Sequence, residues 1–141
     1  MLESAERLLE LRFSARAERL QLLRRVVRDA AEQGGFAPAR AQEILLAVSE
    51  ACANIIQHAY GGESDGEIRL SIYRRCQGRA GLLFLLQDDA PCIDPRSVAP
   101  RDLAELRPGG LGVHFIRQIM DEVEFLECKG RGNRLLLTKY A

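Results

Sequence analysis

The stretch from Ala41 to Ala59, AQEILLAVSEACANIIQHA, constrains this chain more than any other, because it carries two helical patterns at once. Ala41, Ile44, Leu45, Val48, Cys52, Ile55 and Ile56 recur at the spacing that gives a helix one apolar face, and that face is built to pack on a core. At about 100° per residue, Glu50, Asn54 and His58 lie four apart along one shoulder, away from the centre of the apolar stripe. A carboxylate, an amide and an imidazole on one edge suit either a solvated face or a polar site, and the helix alone does not choose between them.

The flanking sequence supplies what such a helix packs on. Leu9, Leu11 and Phe13 alternate with Glu10 and Arg12 as a short half-buried strand. Leu20, Leu23, Val27 and Ala30 then recur at helical spacing until Gly34-Gly35, and Pro38 suits the first turn of the central helix. Glu67 to Tyr73 alternates as a strand, and Gly81 to Leu86 is apolar on both sides, as a central strand is; Gly78, Arg79 and Ala80 supply the hairpin between them. Val123 to Cys128 and Arg134 to Tyr140 read as two closing strands around the turn Gly130 to Asn133. The order predicts a two-layer α/β fold, with a mixed or antiparallel sheet and helices on one face. At 141 residues the chain accommodates one domain, residues 1–141.

Charge and cysteine usage exclude several classes of function. Twenty basic and twenty acidic residues cancel, so no global field draws the chain to nucleic acid or to an anionic membrane. The N-terminus lacks a signal-peptide pattern and no segment has the apolar length of a membrane span, which predicts a cytoplasmic protein. Cys52, Cys76, Cys92 and Cys128 stand singly with no CxxC pair, which argues against a zinc site or a disulfide framework and for reduced thiols.

Two further segments carry chemistry. Gln87 to Pro95 follows the central strand with Asp88, Asp89 and Asp94 on a proline-stiffened loop, where a carboxylate either binds a ligand or closes an Asx-type turn. Gly109, Gly110 and Gly112 open the helix that runs from Val113 to Met120, and backbone N–H groups at such a helix start favour phosphate. Val113, Ile116 and Met120 read first as core.

In this order, Glu50-x-x-x-Asn54-x-x-x-His58, Asp88 and Gly110-x-Gly112 resemble the N, G1 and G2 boxes of the GHKL (histidine kinase-like) ATPase superfamily. Within it, AVSEACANIIQHAY, DDAPCIDP and GGLGVHFIRQIMDEVEF look like the anti-sigma-factor serine kinases of the RsbW and SpoIIAB type. The resemblance implies a Bergerat α/β sandwich that binds ATP and Mg²⁺. Asn54 would ligate Mg²⁺, Glu50 would be the general base for a serine hydroxyl, and Asp88 would accept the adenine amine. Gly110 and Gly112 would meet phosphate through backbone N–H groups, and His58, Ala90, Cys92, Leu111, Val113 and Asn133 would complete the nucleotide site. Arg96 to Pro108 would form a short lid; charge alone nominates Arg101 or Arg107 in it to reach the γ-phosphate. The common G1 pattern has glycine where this chain has Ala90 and Cys92, which predicts weaker nucleotide binding if those positions need glycine's freedom. Cys92 itself reads as a gap filler, with an oxidisable thiol as the alternative.

The resemblance further implies partner switching: phosphorylation of a STAS-domain antagonist on serine, sequestration of a sigma factor or an equivalent target, and a homodimer. The alternative is a nucleotide-responsive anti-sigma or binding module with little or no kinase activity. A detached histidine-kinase catalytic domain fits less well, because His58 and His114 both sit inside motif helices rather than on a dimerisation helix.

Overall fold

A computed structural model describes residues 2–93 and 108–141. Among these residues five strands form one sheet in the order β1-β2-β3-β5-β4: β1 Ala5–Ser14, β2 Glu67–Arg75, β3 Gly81–Asp88, β4 Glu122–Phe125 and β5 Arg134–Tyr140. Every pairing is antiparallel, so the sheet takes the second of the two forms expected. Three α-helices, α1 Leu20–Gln33, α2 Pro38–Asn54 and α3 Pro108–Ile119, pack with the sheet around one core.

The two-residue period of the strands explains that layering. Ile68, Leu70 and Ile72 of β2, Leu82, Phe84 and Leu86 of β3 and Leu137 of β5 are buried in the same cluster as the inner faces of the helices. β3 is central, so its other face is buried too, with Leu83 and Leu85 meeting Leu136 of β5. Burying each such side chain contributes about 1.5–3 kcal/mol relative to exposure. At the edge, β1 shifts register between Arg7 and Leu9, and the extra residue, Leu8, is left exposed.

Helix α2 is the middle of the helical layer and touches both α1 and α3. Pro38 opens it, and Ala41, Ile44, Leu45, Val48 and Cys52 are buried along its inner face, as their spacing predicts. Its end departs from a simple helix. After Asn54 the chain continues as a π-helical turn, Ile55–Ala59, in which the Tyr60 N–H donates to the Ile55 carbonyl at 3.0 Å. The wider turn ends the four-residue periodicity at Asn54.

Helix α3 starts at Pro108, so Gly110 and Gly112 lie within its first turns rather than in a loop ahead of it. β4 stops at Phe125, and the connection to β5 runs past Gly130 and Gly132, both with positive φ. No helix among the described residues is long and apolar enough to cross a membrane.

The thiols differ from expectation. Cys92 and Cys128 are joined in a disulfide with Cα atoms 5.8 Å apart, whereas Cys52 is a buried thiol and Cys76 an exposed one. The two partners stand 36 residues apart in sequence, and the fold brings them together because a bridge between Pro91 and Arg131 lays the loop after β3 against the β4–β5 connection.

Candidate functional site

The ends of α2, α3, β3 and β5 converge on a cleft with a volume of about 370 Å³. Ala51 and Ile55, Val113 and Ile116, and Leu86 with Leu135 make most of its lining apolar. Among them stand a few polar groups, notably Asn54, Asp88 and Asn133. An apolar slot with few, well-placed polar groups is the usual form of a small-ligand site.

Asp88 is the last residue of β3 and only 2% exposed. Its Oδ1 accepts from the backbone N–H of Ala90 at 2.9 Å, from the backbone N–H of Asn133 at 3.3 Å and from Asn133 Nδ2 at 3.0 Å. Both sequence readings of Asp88 therefore hold together: one oxygen closes an Asx-type turn, and the residue also lines the cleft. Among the described residues these bonds all converge on Oδ1.

Asn133 organises the loop opposite. Besides its bond to Asp88, Nδ2 donates to the Pro91 carbonyl at 3.0 Å, and Oδ1 accepts from the Ile93 N–H at 2.8 Å. The Gly132 N–H donates to the Ala90 carbonyl at 2.8 Å, and Arg131 Nε donates to the Asp89 carbonyl at 2.5 Å. Ala90 is 1% exposed inside this mesh, and Cys92 lines the cleft with its disulfide partner Cys128.

Glu50 meets α3 directly. A Cβ added to Gly112 would lie 2.1 Å from Glu50 Oε1 and 2.8 Å from its Cγ and Cδ. Glycine at 112 is therefore what lets the carboxylate sit against the first turns of the glycine-bearing helix. The neighbouring Ser49 is buried and accepts from Arg24 Nε at 2.8 Å, which ties α1 to the same turn of α2.

Asn54 and Glu50 keep the one-turn spacing read from the sequence, because both lie in the regular part of α2. Asn54 is half-buried and lines the cleft; its amide oxygen is a hard donor of the kind that would suit Mg²⁺. A site of that kind needs no cage of carboxylates, and no cluster of three His, Cys, Asp or Glu residues occurs among the described residues. His58 is not brought to this place. It lies in the π-helical turn and is exposed, outside the lining of the cleft. Val113 and Asn133 do line the cleft, and Gly110 and Leu111 take their places in the first turns of α3. Asp94, Pro95 and the stretch with Arg101 and Arg107 lie outside the described residues.

Tyr60 is the residue that sequence reasoning missed. Its hydroxyl donates to the Glu67 carbonyl at 2.6 Å and accepts from the Asp89 N–H at 2.9 Å, which links the end of the π-helical turn to β2 and to the loop after β3. Burial, opposed by the Asp89 hydrogen bond and reinforced by the charges of Asp88 and Asp89, pushes its phenol above the ordinary value. Gly66 makes room for the ring, since a Cβ there would fall 2.5 Å from it. Arg69 forks onto Asp89 at 3.2 Å, and the hydrogen bonds to Asp89 and Glu67 raise its own pKa. The only signals in the sequence were the place of Tyr60 directly after the motif helix and the glycine six residues on.

Comparison with known proteins identifies the family and the fold. Residues 13–139 match the family described as the histidine kinase-like ATPase domain. The proteins named serine-protein kinase RsbW from Bacillus thuringiensis (strain Al Hakam) and Bacillus cereus (strain 03BB102) are each 32% identical over 148 residues, covering 99% of this chain and 88% of theirs. Among solved structures, a chain of the SiaB–SiaC complex from Pseudomonas aeruginosa aligns with a TM-score of 0.63 at 13% identity, over 96% of this chain and 91% of that one. The histidine kinase domain of the blue-light activated kinase from Erythrobacter litoralis EL346 aligns with a TM-score of 0.55 at 18% identity, over 96% and 67%. At those identities the two structures attest the fold.

Proposed function

Because the chain belongs to the histidine kinase-like ATPase family and, within it, to the serine-protein kinases of the RsbW kind, we propose that it is an ATP-dependent serine kinase that switches between protein partners. The observation that carries this reading is the meeting of Glu50 with Gly112 beside a cleft that Asn54 and Asp88 line. This supports a reading in which α2 supplies both a base, Glu50, and a metal-binding amide, Asn54, while the end of β3 supplies an adenine acceptor, Asp88.

In this reading Asp88 accepts the exocyclic amine of adenine, and Ile55, Leu86, Val113 and Ile116 enclose the ring. Asn54 offers its amide oxygen to Mg²⁺, which when bound neutralises phosphate charge. The first turns of α3, with Gly110 and Gly112, present N–H groups and the positive end of the helix dipole to the phosphates. Glu50 takes the proton from the incoming serine hydroxyl. The serine oxygen then bonds to the γ-phosphorus as the bond to the bridging oxygen breaks, and ADP leaves.

The substrate in this reading is a STAS-domain antagonist, and the partner held in the other state is a sigma factor or an equivalent regulator. A homodimer acting in the cytoplasm completes the proposal. The name of the RsbW relatives supports the serine as acceptor.

The test is phosphate transfer from Mg·ATP to a STAS-domain protein, run beside thermal unfolding with ATP, ADP and neither. Nucleotide at about 100 times its Kd stabilises the fold by ~2.7 kcal/mol. That shift is expected for the wild type with Mg²⁺ and is smaller for Asn54→Ala. Glu50→Gln is expected to keep the shift and to lose transfer by about 100-fold. Unchanged transfer in Glu50→Gln removes Glu50 as the base. Nucleotide binding without any transfer by the wild type favours the alternative, a nucleotide-responsive binding module.

A further inference from the structure

We propose that Cys92 and Cys128 are a reversible thiol–disulfide site that sets the nucleotide affinity of the cleft. The inference rests on the nucleotide reading above and goes beyond it. Both residues line the cleft, one on the loop after β3 and the other on the β4–β5 connection, so the bond between them joins two segments of the cleft's rim. The loop it fixes is the one that begins at Asp88 and includes Ala90 and Cys92, the positions where the family resemblance expects glycine. In a reducing compartment, protein disulfides are characteristically redox-sensing rather than structural.

The remaining thiols are not placed to compete. Cys52 is buried in α2, and desolvation pushes its pKa up to about 12, which leaves it inert. Cys76 is exposed but follows the far end of β2, whereas Ile68, near the other end, pairs with Asp88. About eight residues of strand separate them, on the order of 25 Å. Cys92 is exposed and Cys128 half-buried, so Cys92 is the thiol an external disulfide meets first.

The chemistry balances with a low-molecular-weight disulfide such as glutathione disulfide as the oxidant. The Cys92 thiolate attacks one sulfur, forming a mixed disulfide and releasing one glutathione thiolate. The Cys128 thiolate then attacks the Cys92 sulfur, closing the protein disulfide and releasing the second. Two electrons pass from the cysteine pair to the oxidant, and the two protons lost by the cysteines end on the two glutathione thiols. Reduction by a dithiol runs the same exchange backwards.

Closing the bond leaves the cleft open, as the structure shows, and removes freedom from the loop that must order around adenine. Preorganisation of that kind tightens binding. Ordering one more residue in the reduced form is worth about five-fold in affinity, equivalent to ~1 kcal/mol. The disulfide form is therefore the tighter binder.

The experiment uses the full chain equilibrated in glutathione buffers from fully reduced to strongly oxidising. Thiols are counted by alkylation and intact mass, and Mg·ADP affinity is measured on each sample. The expected result is loss of two thiols together, mapped to Cys92 and Cys128, with Mg·ADP bound about five-fold more tightly in the oxidised form. Cys128→Ser and, independently, Cys92→Ser are each expected to give one affinity that no longer changes from buffer to buffer. Equal affinity in both wild-type forms overturns the inference while leaving the nucleotide reading intact, as does oxidation that pairs either cysteine with Cys76. Binding in neither form overturns the nucleotide reading and this inference with it.

Discussion

Replacing Asn133 by alanine is expected to destabilise the fold by about 2 kcal/mol and to weaken nucleotide binding with it. The side chain makes three hydrogen bonds, to Asp88 Oδ1, the Pro91 carbonyl and the Ile93 N–H. Each contributes about 0.5–1.5 kcal/mol net. Asp88 keeps two of its three bonds, from Ala90 and from the Asn133 backbone, and exposed Pro91 is solvated once freed, so the loss falls in the lower half of the roughly 1.5–4.5 kcal/mol that three such bonds span. Urea unfolding reads the loss as a lower midpoint at unchanged slope. Asn133→Asp sharpens the test, because it keeps the shape but sets a second carboxylate where an amide nitrogen stood 3.0 Å from Asp88 Oδ1. Like charges that close raise the pKa of the pair. A raised folded pKa gives stability that is full below the unfolded value, about 3.9, and is lost as pH rises through the folded one. The aspartate variant is therefore expected to be weaker than the alanine variant at pH 7 and to recover towards it near pH 4–5. A loss under ~0.5 kcal/mol for alanine, or identical pH profiles for the two variants, refutes the reasoning.

Other perturbations test the remaining parts of the site. Gly112→Ala leaves the fold intact, because its Cβ meets the far end of a flexible side chain, but it forces the Glu50 carboxylate aside; phosphate transfer is expected to fall by about 100-fold with nucleotide affinity less affected, as single-turnover kinetics will show. Tyr60→Phe loses the bond to the Glu67 carbonyl and the acceptor for the Asp89 N–H, about 1–2 kcal/mol in chemical unfolding. The Tyr60 phenol is raised in the fold, so its contribution is complete below the ordinary value of 10.0 and is lost as pH rises through the folded one; the gap between wild type and Tyr60→Phe should narrow in strongly alkaline buffer.

Regular periodicity made much of this molecule legible, and irregular contacts hid the rest. Arg134 to Tyr140 is a strand over the bounds its alternation predicts, and the apolar run at Gly81 to Leu86 is the central strand, extended to Asp88. Glu50 and Asn54 keep their shared edge because both lie before the helix widens. His58 does not, since a four-residue spacing carries a side chain back to the same edge only while the turn holds about 3.6 residues. The disulfide and the bond from the Asp89 N–H to the Tyr60 hydroxyl join residues far apart in sequence, and no local pattern encodes such a contact. The single spacing of the cysteines pointed the wrong way for the same reason.

The loop after β3 is held in shape without the glycines of the family pattern. Glycine would give backbone freedom at 90 and 92; here Ala90 is held by the Asp88 turn and Gly132, and Cys92 by its disulfide. On the facing segment, Gly130 and Gly132 adopt the positive φ, at 78° and 92°. At Gly132 the backbone also runs close to β3, where an added Cβ would sit 3.3 Å from the Asp88 carbonyl oxygen. The demand for glycine thus stands across the loop from where the family pattern places it. Gly132→Ala meets both the strained φ and that contact, and is expected to cost about 1–3 kcal/mol. Because Gly132 donates to Ala90 and precedes Asn133, the strain passes straight to Asp88, so nucleotide affinity should fall along with stability. Gly130→Ala shares the positive φ but has open space around its Cβ, and it lies two residues further from Asn133. It should lose stability without a matching loss of affinity; equal effects of the two substitutions on Mg·ADP binding would show that the loop is not governed through Gly132.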